Sequence, residues 1–224
     1  MLAGVCVAAW SAAAEAPGFA GRVVVEWLHD DPFIARMKLV EDFAFRDPAG
    51  RRWVAEKGHV LDGRSIPLLF RDLVGPPFAG EYRRSAVVYE AQAHRMQEPW
   101  RAVHRLFYHA SRAEGVPEAD AKLMYLALYA GGLRWEQPGS NCFNHCHTAA
   151  QSLSWMPATT PAEVQPVIDW IRQVNPALDQ IDRRVDATLR KPGPHIFGQG
   201  FASPIVADPE PEGVAPARSP EADR

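Results

Sequence analysis

The hydrophobic period of this chain changes once, near residue 62, and that change constrains the fold more than any other feature. From Gly21 to Val60 the apolar residues are β-branched or alternate: Val23-Val24-Val25, then Met37, Leu39 and Val40, then Phe43 and Phe45. Alternation at period two is the mark of a half-buried strand. Asp47-Pro48-Ala49-Gly50 is a turn signal with Trp53-Val54 behind it, so a hairpin is expected across Pro48–Gly50, after an earlier strand near Gly21–Trp27. Asp62-Gly63 is a second turn. Beyond it the spacing is helical.

Ser65-Ile66-Pro67 has the residues to open a short helix, with Ser65 as its cap, and Gly75-Pro76-Pro77 ends it. Further helices are expected over Gly80–Arg95, Pro99–Glu114 and Glu118–Ala130. In the second of these Trp100, Val103, Phe107 and Ala110 recur at three- and four-residue steps, and Gly115 closes it. Pro161 to about Leu189 reads as a last amphipathic helix carrying Val164, Ile168, Ile171 and Val174, kinked or broken at Pro176. The fold class is therefore α+β: a small antiparallel sheet followed by a layer of packed helices. After Lys191 there are seven prolines in 33 residues and few large apolar groups, which predicts a disordered C-terminal tail over 191–224.

Residues Met1 to Ala14 carry no charge and are mostly Ala, Val and Leu, and Ala14-Glu15-Ala16 offers a cleavage signal. The pattern predicts a signal peptide over 1–16, possibly truncated because no basic segment precedes the apolar run, and a periplasmic or secreted product. A cytoplasmic location is the alternative. The run is too short to span a membrane. One α+β domain is expected over 17–190, with a helical extension over 136–190. The chain has 24 Lys and Arg against 27 Asp and Glu. Five acids and two bases lie in residues 192–224, leaving 22 of each sign in residues 1–191. A neutral body argues against nucleic acid as a partner, because binding it requires many phosphate-neutralising cations.

Several segments, taken in order, resemble one family. They are Phe19 to Trp27, Arg36 to Phe45, Asp47 to Trp53, Asp62-Gly63-Arg64-Ser65-Ile66-Pro67, Gly75 to Phe78, Trp100 to Tyr108, Ala121 to Tyr125 and Gly131 to Trp135. Together they are similar to the bacterial and phage-associated family called domain of unknown function 1353, over roughly residues 19–135. The resemblance implies a fold neighbourhood and no settled activity. Where the family carries His-Asp-x-x-Cys or His-Asp-x-x-Tyr on a helix, this chain has Tyr89-Glu90-Ala91-Gln92-Ala93. The family's His falls on Tyr89 and its Asp on Glu90. His-Asp on a helix is similar to the catalytic helix of secreted phospholipases. A tyrosine there, with an ordinary pKa near 10, is a poor base at neutral pH.

The candidate site residues are Glu90, His104, Asp62 and Ser65. Asp62 and Ser65 can line a cleft, although turn formation and capping explain the same residue types. His104 lies on the buried stripe of its helix, either as a base partnered by Glu90 or as a satisfied core histidine. A buried Glu90 would have a raised pKa, unless Arg83, Arg84 or Arg95 neutralises it. Cys142, His145, Cys146 and His147 have the atoms for a metal site. In an exported protein a Cys142–Cys146 disulfide takes precedence over metal, and in a reducing compartment the order reverses. No pattern names a cofactor. The function expected is that of an exported envelope protein with an altered site, hence a binding or accessory role toward an unknown small molecule or envelope component. Two alternatives stand beside it: a hydrolase of lipid or envelope esters or amides using His104 and Glu90, and a phage-derived structural or assembly component.

Overall fold

Alternation and turn chemistry build the first half. A computed structural model describes residues 16–29, 35–135, 153–155 (backbone only) and 159–189. The predicted signal segment, the Cys142–His147 loop and the predicted tail lie outside these residues. Six short strands come first: β1 (Gly18–Ala20), β2 (Val25–Leu28), β3 (Arg36–Leu39), β4 (Phe43–Arg46), β5 (Arg52–Ala55) and β6 (Val60–Leu61). The expected hairpin is β4–β5, antiparallel, with Phe45 opposite Trp53 and Phe43 opposite Ala55. Asp47 makes its turn. Its Oδ1 accepts the backbone N–H of Ala49 and of Arg51, each at 2.9 Å, and its Oδ2 accepts the Trp53 indole N–H at 2.9 Å.

The strands form two three-stranded antiparallel sheets, ordered β1-β4-β5 and β2-β3-β6, where one sheet was expected. Gly21 is the reason. It sits at φ +87°, and a Cβ there would lie 3.0 Å from the Asp42 carbonyl oxygen. The backbone bends sharply at this point, so the predicted Gly21–Trp27 strand forms only as Val25–Leu28, which pairs with β3, and a separate strand before the bend, Gly18–Ala20, pairs with β4.

The helices are α1 (Leu68–Leu73), α2 (Arg83–Arg95, after a 3-10 turn over Gly80–Tyr82), α3 (Trp100–Glu114), α4 (Glu118–Gly131), α5 (Pro161–Val174) and α6 (Leu178–Thr188). Helix α2 is the centre of the packing. Every residue from Ser85 to Ala93 is buried. It has α3 on one flank and β4, β5 and β6 on the other. A helix enclosed on all sides shows little amphipathic stripe, which accounts for its weak periodicity in the sequence. Gly115 ends α3 in the left-handed conformation at φ 99°. A short antiparallel ribbon, β7 (Leu133–Trp135) with β8 (Leu153–Trp155), was not expected from the sequence.

The predicted final helix is two. Thr160 and Glu163 form a capping box at the start of α5, Asn175 takes the left-handed conformation at its end, and Pro176 precludes continuation. Helix α6 is tied down by Asp182, which accepts from the Tyr125 hydroxyl at 2.6 Å and from Arg105 at 2.7 Å. Asp182→Ala removes the acceptor of the buried Tyr125 hydroxyl and one of the two anions paired with Arg105, which keeps Asp179. It should destabilise the protein by about 1–3 kcal/mol, measurable as a lowered denaturant midpoint. An unchanged midpoint would show that α6 is held by its apolar face alone.

Candidate functional site

Asp62 follows β6 directly, and Glu90 and His94 stand one turn apart on α2. The three converge because β6 packs across α2. Gly63 makes the approach possible. It has φ +73°, and a Cβ there would meet Pro77 at 3.0 Å. Arg71 Nη2 donates to the Gly63 carbonyl at 2.9 Å and fixes the turn from α1. The backbone N–H of Arg64 donates to Asp62 Oδ1 at 2.9 Å.

Glu90 has no solvent exposure. Its Oε1 is the acceptor for two weak contacts, the Asp62 backbone N–H at 3.4 Å and the Ser65 hydroxyl at 3.5 Å. His94 Nε2 lies 3.6 Å from the same oxygen and 4.0 Å from Asp62 Oδ1. Glu90 Oε2 has no hydrogen-bond partner. No arginine comes to it. Arg84 pairs with Glu114 at 3.2 Å and Arg95 with Glu56 at 3.0 Å. Among the described residues, one group of His, Cys, Asp and Glu side chains brings three ligating atoms together: Asp62, Glu90 and His94, all within 4.8 Å of one another. Behind His94, its Nδ1 is 3.3 Å from His59 Nε2.

Burial pushes the Glu90 carboxyl up to about 8, with the Asp62 side chain adding to the shift. Both imidazoles are lowered, His94 by burial and His59 by burial and then by His94. At neutral pH Glu90 therefore keeps its proton, beside neutral imidazoles.

The structure thus brings Asp62, Ser65 and Glu90 together and adds His94 and His59. Ser65 does not cap α1, whose N-cap is Pro67. Its hydroxyl faces Glu90 and is almost fully enclosed, at 1 % exposure. Tyr89 is buried, with its hydroxyl donating to the Ser65 carbonyl at 3.4 Å and its pKa raised by burial. His104 is fully buried elsewhere along this interface, against Tyr89 (ring centroids 5.9 Å) and Trp100 (5.2 Å). A Cβ on Gly132 would come within 3.2 Å of its ring. Burial, then the Arg134 cation, pushes His104 down to about 3, with the Leu133 backbone as a polar neighbour. It is a neutral core imidazole across the physiological range. The Cys142, His145, Cys146 and His147 set lies outside the described residues. A surface concavity of about 310 Å³ between Leu73, Tyr82, Val116 and Met124 includes none of the cluster residues.

Sequence reasoning passed over His94 and His59. The signal was there: Glu90-x-x-x-His94 is one helical turn, and His59 stands three residues before Asp62.

Three comparisons bear on this geometry. Residues 37–128 match the family described as protein of unknown function DUF1353, a narrower stretch than the 19–135 expected. The uncharacterized protein y4iH of Sinorhizobium fredii is 38% identical over 118 residues, covering 51% of this chain and 49% of that protein. The uncharacterized protein y4jT of the same organism is 38% identical over 98 residues, covering 44% of this chain and 29% of that one. The chain therefore spans half or less of the length of the curated relatives it matches. No solved structure matches it. Among the described residues, no helix is long and apolar enough to cross a membrane.

The Glu90 shift has a thermodynamic consequence. The folded chain keeps the Glu90 proton up to about pH 8, whereas an unfolded chain releases it near the ordinary 4.5. Its contribution is fully present below about 4.5 and is lost as pH rises through 8. The loss is on the order of a few kcal/mol. Glu90→Gln mimics the protonated form and should flatten the fall, leaving the variant more stable than wild type above pH 8. Denaturant titrations from pH 5 to 9 measure this, and parallel curves would refute it.

Proposed function

With residues 37–128 matching the DUF1353 family, we propose that this domain works by binding, and that its ligand is a small cation seated between Glu90 and Asp62. One observation carries the reading: the enclosed Glu90 carboxylate oxygen with no donor facing it, next to a second carboxylate. Two carboxylates this close are both ionised only when a cation lies with them, and otherwise one keeps its proton. The accessory role expected from the altered helix is supported by the position of Tyr89, which is packed and hydrogen-bonded as a core residue. The hydrolase alternative is favoured less, because His104 is enclosed among the Tyr89 and Trp100 rings, the Arg134 cation and backbone.

The test is thermal unfolding at pH 8 with and without millimolar divalent cations. Binding to the folded state alone raises the midpoint, by about 4 kcal/mol of stability at a thousandfold excess over Kd. Wild type should show a rise and Glu90→Gln should show at least a tenfold weaker affinity. Absence of any response from wild type would overturn the reading.

The envelope placement rests on the apolar run from Met1 to Ala14. A mature mass trimmed near Ala16, recovered from the periplasm, would support it. A full-length cytoplasmic product with free thiols would remove it.

A further inference from the structure

The donor set at this cluster is specific enough to say which cation it takes. Building on the cation reading above, we propose that Asp62, Glu90 and His94 bind a transition metal of the zinc class, with His59 as a positioning residue and one coordination place left open toward solvent.

Spacing is the first argument. Ligand atoms around a tetrahedral zinc, at bonds of about 2.0–2.1 Å, stand roughly 3.3 Å apart. His94 Nε2 lies 3.6 Å and 4.0 Å from the Glu90 and Asp62 oxygens, and the three ligating atoms lie within 4.8 Å of one another, so side-chain rotation of about an ångström closes the set on a metal. Donor chemistry is the second. Calcium takes six to eight oxygens, and magnesium keeps most of its own waters in a near-ideal octahedron. An imidazole facing two carboxylates suits a borderline metal instead. Charge is the third. Two carboxylates and an imidazole match a divalent ion, the Arg64 guanidinium that pairs with Asp62 Oδ2 at 3.5 Å being largely exposed and able to turn to solvent, and the buried Glu90 side chain gains a counter-charge.

His59 supplies the fourth argument. A histidine that binds through Nε2 carries its proton on Nδ1, and needs an acceptor there. His59 Nε2 lies 3.3 Å from His94 Nδ1. With the His59 proton on its own Nδ1, His59 Nε2 accepts from His94 Nδ1–H and leaves the His94 Nε2 lone pair free. The ring of His94 is also held against His59, with centroids 5.3 Å apart. Finally, the site is open on one side. Glu90 is sealed, but the Asp62 and His94 side chains are 17 % and 31 % exposed. Three protein ligands and an accessible fourth position make a site that keeps a water or takes an anionic group from a ligand.

The experiment uses the full chain in a Cys142→Ser/Cys146→Ser background, so that the cysteine loop cannot supply thiolates. Zinc, calcium and magnesium chlorides are titrated separately, and cobalt(II) is used as the visible probe. One zinc per chain is expected, with no protection from calcium or magnesium at a hundredfold excess. Cobalt should give visible bands of four-coordinate intensity. His94→Gln should weaken zinc binding at least a hundredfold. His59→Gln should weaken it about ten- to a hundredfold and shift the cobalt bands, while leaving the midpoint of the metal-free protein in place. Equal protection by calcium or magnesium would overturn the proposal and keep the cation reading. No response to any ion would overturn both. Zinc bound by the parent chain but not in the cysteine-free background would assign it to the loop, and so overturn the proposal. A His59→Gln variant that binds as wild type would remove the positioning role. Should His94→Gln fail to fold, Asp62→Asn provides the same hundredfold test from the exposed side.

Discussion

The interaction on which the rest depends is the burial of one carboxylate in a helix that is covered on every side. Helix α2 packs against α3 and two sheets, and its residues from Ser85 to Ala93 are all enclosed. Glu90 sits in the middle of that run. A lone ionised carboxylate in such a place is strongly disfavoured, and it must be neutralised or paired. Among the described residues no arginine or lysine is paired with it, and Arg84 and Arg95 are engaged with Glu114 and Glu56. The chain supplies a second acid instead. The Asp62 turn, the Gly63 bend and the Arg71 brace all serve to hold a carboxylate where a salt bridge would be the stabilising choice. A local arrangement that lowers the stability of the metal-free fold, in an otherwise consistent core, is where function is expected.

The neighbouring buried polar groups make the contrast. Tyr89 donates to the Ser65 carbonyl and packs edge-on against Phe107, with ring centroids 5.6 Å apart. His104 is held between Tyr89 and Trp100 with no hydrogen-bond partner on either ring nitrogen among the described residues, and a Cβ on Gly132 would collide with the Leu128 carbonyl and crowd the imidazole. Arg105 and Tyr125 both donate to Asp182 across α3, α4 and α6. What sets Asp62, Glu90 and His94 apart is that they turn two acceptors and an imidazole nitrogen toward one another, while Arg64 pairs with Asp62 at 3.5 Å.

Much of the fold was legible because local chemistry settled it. Asp47-Pro48-Ala49-Gly50 has one sensible conformation, and Phe43, Phe45 and Trp53 follow from it in register. The stripe on α3, its Gly115 terminus and the break at Pro176 are likewise local. The division into two sheets was not, because it turns on the left-handed bend at Gly21 and its contact with Asp42, a residue twenty-one positions later. The β7–β8 ribbon was hidden for the same reason, with strands eighteen residues apart in the chain. At the site, Asp62, Ser65 and Glu90 were found as residue types in a turn and in an apolar run. Their convergence was not legible, and neither was the separation of His104 from them. Both depend on which flank of α2 meets β6 and which meets α3. A fully buried helix gives no stripe from which to read that.

The position occupied by Tyr89 then takes on a different meaning. If chemistry resided in the residue preceding the acid, a tyrosine there would be a loss. The geometry moves the imidazole to the other side of the acid, one turn along at His94, where it reaches solvent and both carboxylates. A histidine at 94 on an exposed helix end stands beside His59 from the turn before β6, and the Leu39 N–H holds that turn through the His59 carbonyl at 2.9 Å. The acid stays in the core, and the nitrogen comes from the rim. Such a division suits binding, since the enclosed oxygen sets the strength of the site and the exposed nitrogen sets which cation it selects and how that cation enters.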